Sequence, residues 1–210
     1  MKRLLLLFSL FVLLCLFASC GSDEAVVSFD SHTDIQVQSQ EVEIGQRASE
    51  PSVVMERDGY HFLGWFNDNK KWDFEKDTVT KDLTLVGKWE SYLSYVAVSE
   101  IESASIKALF SEEHFDGIIV TGCDTIKTEN VKIPESYNGK RVVGIAPYAF
   151  ADNKKIKTVI IPKAIDVIGE GAFFGCVSLE GIFAEGEEAP TGWNSNIINT
   201  QVKIEFGYNK

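Results

Sequence analysis

The chain has 210 residues, 45% of them hydrophobic and 24% charged, which is length for one large or two small domains and apolar content enough for a folded core. Its 31 acidic against 20 basic residues give a formal net charge of −11, which argues against nucleic acid or anionic lipid headgroups as partners. Met1-Lys2-Arg3 makes a basic start, and Leu4 to Phe17 follows as an apolar stretch too short to span a bilayer comfortably. Small residues come next, at Ala18-Ser19, and then the thiol of Cys20.

This pattern resembles the lipobox of bacterial lipoproteins, with Phe17 where Leu is commoner. The resemblance implies cleavage of residues 1–19 and acylation of Cys20 as the new N-terminus. An ordinary secretory signal with an incidental cysteine is the alternative, and both imply export. Loss of Lys2 and Arg3 would move the formal charge from −11 to −13. Of the four cysteines, Cys15 would leave and Cys20 would carry lipid, so Cys123 and Cys176 would either pair or serve as small buried residues. Membrane attachment would then rest on the acyl chains alone. Residues 20–24 are read as the anchor and its linker. Gly21-Ser22-Asp23-Glu24 resembles the acidic export signal of surface lipoproteins in Bacteroidetes-type bacteria, with a plain acidic linker as the alternative.

Residues 25–90 alternate apolar and polar side chains, the signal of half-buried strands. Predicted strands include Val27-Ser28-Phe29, and Val37 to Ile44 with Val42 and Ile44 on one face. Asp58-Gly59 marks a turn before Tyr60-His61-Phe62-Leu63-Gly64-Trp65-Phe66, and Leu83 to Trp89 closes the set. The run from Gly59 to Phe66, then Trp72-Asp73-Phe74, then Asp82-Leu83-Thr84-Leu85 to Lys88-Trp89, resembles the internalin-type B repeat, the Listeria-Bacteroides repeat. That resemblance implies a small β-grasp-like domain used as a spacer or adhesion module. Trp65, Trp72 and Trp89 suggest either sugar-stacking platforms or core, and core is expected because a domain this small needs large side chains to bury enough surface.

Residues 91–116 admit two readings. Ser99-Glu100-Ile101-Glu102 is spaced as a capping box for a helix reaching about Phe110. Alternation at Ile106, Ala108 and Phe110 instead predicts a hairpin that turns at His114 to Gly117 into Ile118-Ile119-Val120, and this reading is preferred.

Residues 117–210 contain an internal repeat. Ile145, Ala149, Phe150, Ile156 and Val159 recur as Ile168, Ala172, Phe173, Leu179 and Ile182, a spacing of twenty-three and within the range of leucine-rich repeats. Ile145 to Phe150 and Ile168 to Cys176, with Val131-Lys132-Ile133-Pro134 and Val159-Ile160-Ile161-Pro162, resemble the BspA-type leucine-rich repeat. The fold class expected is therefore mainly β: a small β-grasp-like domain followed by a short leucine-rich-repeat solenoid with a cap at Val202 to Phe206.

Period-two alternation assigns Val131/Ile133, Val159/Ile161, Ile182/Ala184 and Val202/Ile204 as inward pairs. The intervening residues Lys132, Ile160, Phe183 and Lys203 then face outward as a column, apolar at its centre and cationic at its ends. This is the candidate partner-binding face. Isolated surface apolars are also ordinary, and the first module is a candidate cover for them.

No catalytic, metal or cofactor signature is read. His32, His61 and His114 lie far apart, and no GxSxG elbow, P-loop, EF-hand loop or CxxC occurs. Gly169-Glu170-Gly171 misses phosphate-loop spacing, and Glu185, Glu187 and Glu188 read as solvated surface. The function expected is non-catalytic: a lipid-anchored cell-surface protein, outward-facing on the outer membrane as the acidic export signal implies, presenting the repeat face to a protein partner. A glycan-capture lipoprotein using Trp65, Trp72, Trp89 or Trp193 on one surface, and a spacer without a ligand, are the alternatives.

Overall fold

The computed structural model describes residues 23–124, 128–197 and 202–209. Cys20 and the segment read as a signal lie outside the described residues. The first sheet is built from β1 (Glu24–Asp30), β2 (Gln40–Glu43), β3 (Tyr60–Asn67), β4 (Lys70–Lys71) and β5 (Leu83–Ser91), in the order β2-β1-β5-β3-β4. Its first and last long strands, β1 and β5, run parallel at the centre, with Phe29 opposite Leu85. All other pairings in it are antiparallel, which gives a β-grasp-like sheet. Its core gathers Val27, Val42, Val79 and Leu85 around Trp65 and Trp72, which are 2% and 8% exposed. Phe29 and Phe62 meet Trp65 edge-on at 5.0 and 5.4 Å. The predicted strand through Ile44 ends at Glu43 instead. Ile44 enters the turn before Gly45, donates its N–H to the Asp23 carbonyl, and is 47% exposed rather than beside Val42 in the core.

The second unit is a β-solenoid of about three turns. One sheet contains β6 (Leu93–Ala97), β7 (Ile118–Cys123), β10 (Lys140–Ile145), β12 (Val167–Ile168) and β14 (Gly192–Trp193). A small hairpin strand, β9 (Ser136–Tyr137), pairs with β10. The other sheet contains β8 (Asn130–Lys132), β11 (Thr158–Ile161), β13 (Gly181–Ala184) and β15 (Ile204–Phe206). Within each column β7 to β15 stack in parallel, Ile145 beside Ile168 and Val159 beside Ile182, so the twenty-three-residue repeat is one turn of the coil. Val131, Val159, Ile161, Ile182, Ile145 and Ile168 fill the space between the sheets. The repeat partners Phe150 and Phe173 stack at 5.1 Å with rings 10° apart.

The chain between β6 and β7 covers the outer face of the first column. Val98, Ile101 and Phe110 pack there on Ile119, Val143 and Val167, which buries that parallel sheet on both sides. Neither sequence reading of this segment describes it. A single α-helical turn, α1 (Ala104–Lys107), is capped by Ser103 rather than Ser99, and the antiparallel partner of β7 is β6. A strand would have put Ile106, Ala108 and Phe110 on one face. The turn brings Ile106 and Phe110, four residues apart, onto the core and leaves Ala108 exposed. The outer face of the β8-β11-β13-β15 sheet has no such cover from this segment.

Candidate functional site

On that face, residues between inward pairs must point out, and the strand register fixes their order. Lys132 of β8 stands beside Ile160 of β11, which stands beside Phe183 of β13. The last neighbour is Glu205, because β15 pairs Ile204 with Ile182 and Phe206 with Ala184. The expected pair Val202/Ile204 is thus two residues out of register, and Lys203 is not in the column. Phe206 rather than Val202 completes the inward pair, since it is the ring that reaches Trp193, with centroids 5.9 Å apart. Lys203 instead lines a hollow of about 470 Å³ with Phe183, Val202, Glu180 and Glu205. The column therefore runs from a lysine to a carboxylate, not between two cationic ends.

Its two ends also differ in access. At the Lys132 end the first module closes over it. The Tyr92 hydroxyl donates to the Lys132 carbonyl at 3.1 Å and accepts the Lys132 N–H at 3.0 Å and the Gly59 N–H at 3.2 Å. Lys132 Nζ reaches Glu56 at 3.3 Å. Tyr95 stacks on Tyr137 at 4.2 Å, Tyr137 on Tyr60 at 5.9 Å, and Arg57 lies 3.8 Å over the Tyr60 ring. Gly59 (φ +80°) belongs here because a Cβ would come within 3.0 Å of the Pro134 ring. Burial raises the Tyr92, Tyr95 and Tyr60 phenols above their ordinary value of 10.0. At the other end Phe183 is half-buried under Tyr208, with ring centroids 5.1 Å apart, and Ile160 is half-buried. What remains open is Ile160, Phe183 and the Lys203 and Glu205 rim.

The four tryptophans do not form a common platform. Trp65 and Trp72 are core, the Trp89 indole donates to the Ser31 carbonyl at 2.8 Å, and the Trp193 indole donates to the Ile165 carbonyl at 3.0 Å. Cys123 and Cys176 are free and do not pair. Cys176 is buried and its thiol donates to the Phe150 carbonyl, while burial pushes the Cys123 thiol up to about 12, away from the reactive thiolate.

One polar cluster was missed in the sequence. His114 is 6% exposed, and its Nδ1 accepts the Ser111 N–H at 3.2 Å and lies 2.9 Å from Ser111 Oγ. With Nδ1 accepting, the ring proton sits on Nε2 and is donated to Asp166 at 3.3 Å, and Arg141 donates to the same oxygen at 3.0 Å. The serine, histidine and carboxylate have the composition of a hydrolase triad. The serine is the N-cap of a capping box, however, and the histidine's Nδ1 is already held by backbone. The cluster clasps the segment before β7 to the solenoid. Its signal was the Ser111-x-x-His114 spacing, which reads as a cap. His32 and His61 are exposed on the first module, and among the described residues no group of three or more His, Cys, Asp or Glu side chains is placed to hold a metal ion. No helix among the described residues is long and apolar enough to cross a membrane.

Residues 26–88 match the Listeria-Bacteroides repeat domain. Two proteins of Evansella cellulosilytica, provisionally named a Gly-rich membrane protein and a membrane protein, are 42% and 41% identical over 78 residues, 36% of this chain. The matched part spans only 9% and 12% of those curated relatives' own lengths. The crystal structure of a leucine-rich-repeat protein from T. pallidum aligns with 45% of this chain and 41% of its own, at 24% identity and a TM-score of 0.31.

Proposed function

We propose that this chain is a non-catalytic binding protein of the cell envelope, lipid-anchored through Cys20 and facing outward, in which the repeat domain holds the solenoid as a rigid extension and the Ile160–Phe183 face meets a protein partner. The observation that supports it best is the joint at Tyr92. Three hydrogen bonds to one hydroxyl and a stack of three tyrosines join the two units, and a display stalk requires such a joint. The naming of the Evansella relatives as membrane proteins fits an envelope location. A module that is all packing and no open chemistry fits binding better than turnover.

Palmitate labelling of cells tests the anchor: wild type takes up label and partitions with membranes, and Cys20→Ala does neither. Protease shaving of intact cells tests orientation, since an outward-facing protein is lost before the envelope is opened. Turnover of any substrate by the purified protein would overturn the non-catalytic reading. A Phe183→Asp variant, folded but still binding every native partner, would remove the proposed face.

A further inference from the structure

A second surface, on the opposite column of the solenoid, has the features of a small-molecule site. Tyr148 has φ +57°, a left-handed conformation that costs a bulky residue free energy, and its side chain is not spent on the core, being 56% exposed. One turn on, its repeat equivalent is Gly171, at φ +62°, and a Cβ there would lie 2.4 Å from the Tyr148 ring. The Cδ1–Cε1 edge of the ring therefore lies close against the Gly171 backbone, in space that only a glycine leaves, while the side chain stays largely open to solvent. It lines a hollow of about 530 Å³ with Trp193, Ile106, Leu109, Glu170 and Asn194. The Trp193 ring is pinned by its indole bond to Ile165 and its contact with Phe206.

We infer that this hollow binds a neutral oligosaccharide. A pyranose ring has C–H bonds on its faces and hydroxyls on its rim, so it suits rigid aromatic faces flanked by hydrogen-bonding groups. The polar groups needed are in place and unspent. The Glu170 carboxylate and the Tyr148 hydroxyl have no partner among the described residues, and Asn194 commits only its side-chain oxygen, to the Asn196 N–H at 2.8 Å. The volume lies in the range of ligand pockets, about 300–1,000 Å³. Charge decides the class of sugar: Glu170 at the rim and a net charge of −11 repel uronic and sialic acids. This inference goes beyond the protein-binding reading above and uses a different face from Phe183.

The test is calorimetric titration of the full chain with maltohexaose, cellohexaose and chitohexaose, with a galacturonic acid oligomer as the anionic control. At least one neutral probe should bind, the control should not, and Tyr148→Gly should weaken binding at least about tenfold. Glycine accepts φ +57°, so that variant should melt no lower than wild type. Tyr148→Asn, which also tolerates the left-handed region, provides a second variant with the same expected loss. No heat from any neutral probe at millimolar concentration, preference for the anionic control, or unchanged affinity in both variants would each overturn the site. Phe183→Asp should leave the sugar titration unchanged. Flat sugar titrations alongside a partner lost in Phe183→Asp would sink this inference and leave the protein-binding face standing.

Discussion

The two units reach a stable core by opposite routes. The first module closes a five-stranded sheet over a few aliphatic residues, with Trp65 and Trp72 as the largest side chains of its buried cluster. The solenoid adds layers, each turn presenting the same Ile, Val and Phe positions to the turn before, so that its core is distributed rather than concentrated. Damage should therefore be all-or-none in the first unit and graded in the second, and the Tyr92 joint should decide how far either kind spreads.

Trp65→Ala gives the largest expected effect, a loss of about 3–5 kcal/mol, because it empties the centre of the smaller core and removes the partner of Phe29 and Phe62. Denaturant titration should show the first module unfolding early while the solenoid's transition persists. Ile182→Val, at an equivalent depth in the solenoid, should cost about 0.5–1.5 kcal/mol. Equal losses for the two variants would erase the contrast.

Tyr92→Phe comes next, at about 1–3 kcal/mol, since it strips the partner from the Gly59 N–H and from the Lys132 N–H and carbonyl together while keeping the ring. The sharper readout is cooperativity: one unfolding transition in wild type should split into two. A lower midpoint that remains a single transition would show that the tyrosine stack, rather than the hydroxyl, couples the units.

The same joint predicts an alkaline limit. Burial raises the Tyr92 and Tyr95 phenols, so the folded chain holds those protons more tightly than the unfolded chain. Their contribution is complete below the ordinary value of 10.0 and is withdrawn as pH climbs through the higher folded values. The thermal midpoint should fall above about pH 10, followed by tyrosinate absorbance, and less steeply in Tyr92→Phe. A midpoint insensitive to base would place these phenols outside any buried joint.

How much of this was legible in the sequence varies with the kind of constraint. The repeat at 145–182 was readable because each position faces the same environment one turn later, and stacking enforces the spacing. The β-grasp-like core was readable because indoles in so small a domain have nowhere else to go. The joint was not, since Tyr60, Tyr95 and Tyr137 come from three separate strands, Tyr92 from the residue between β5 and β6, and nothing in their spacing announces that they meet. Lys203 was misplaced for a related reason. Alternation gives the face of a strand but not its register against a neighbour, and Val202 and Phe206 satisfy the same period. The segment at 104–110 was misread because three alternating apolar residues also contain an i, i+4 pair, and the sheet beneath needed that pair.

The smallest effect tests that same ambiguity at the edge of the first module. Ile44 shares the parity of Val42, and a strand continuing through it would bury both. The chain instead turns at Gly45 (φ +92°), whose N–H donates to the Val79 carbonyl at 2.7 Å, and this leaves the Ile44 side chain in solvent. Ile44→Lys should thus change stability by no more than about 0.5 kcal/mol, as for a surface site away from caps and pockets. Val42→Lys, two residues earlier, would force an ammonium into the core and should unfold the module. If both lysines prove equally damaging, the strand continues past Glu43 and the turn is not where the backbone bonds place it.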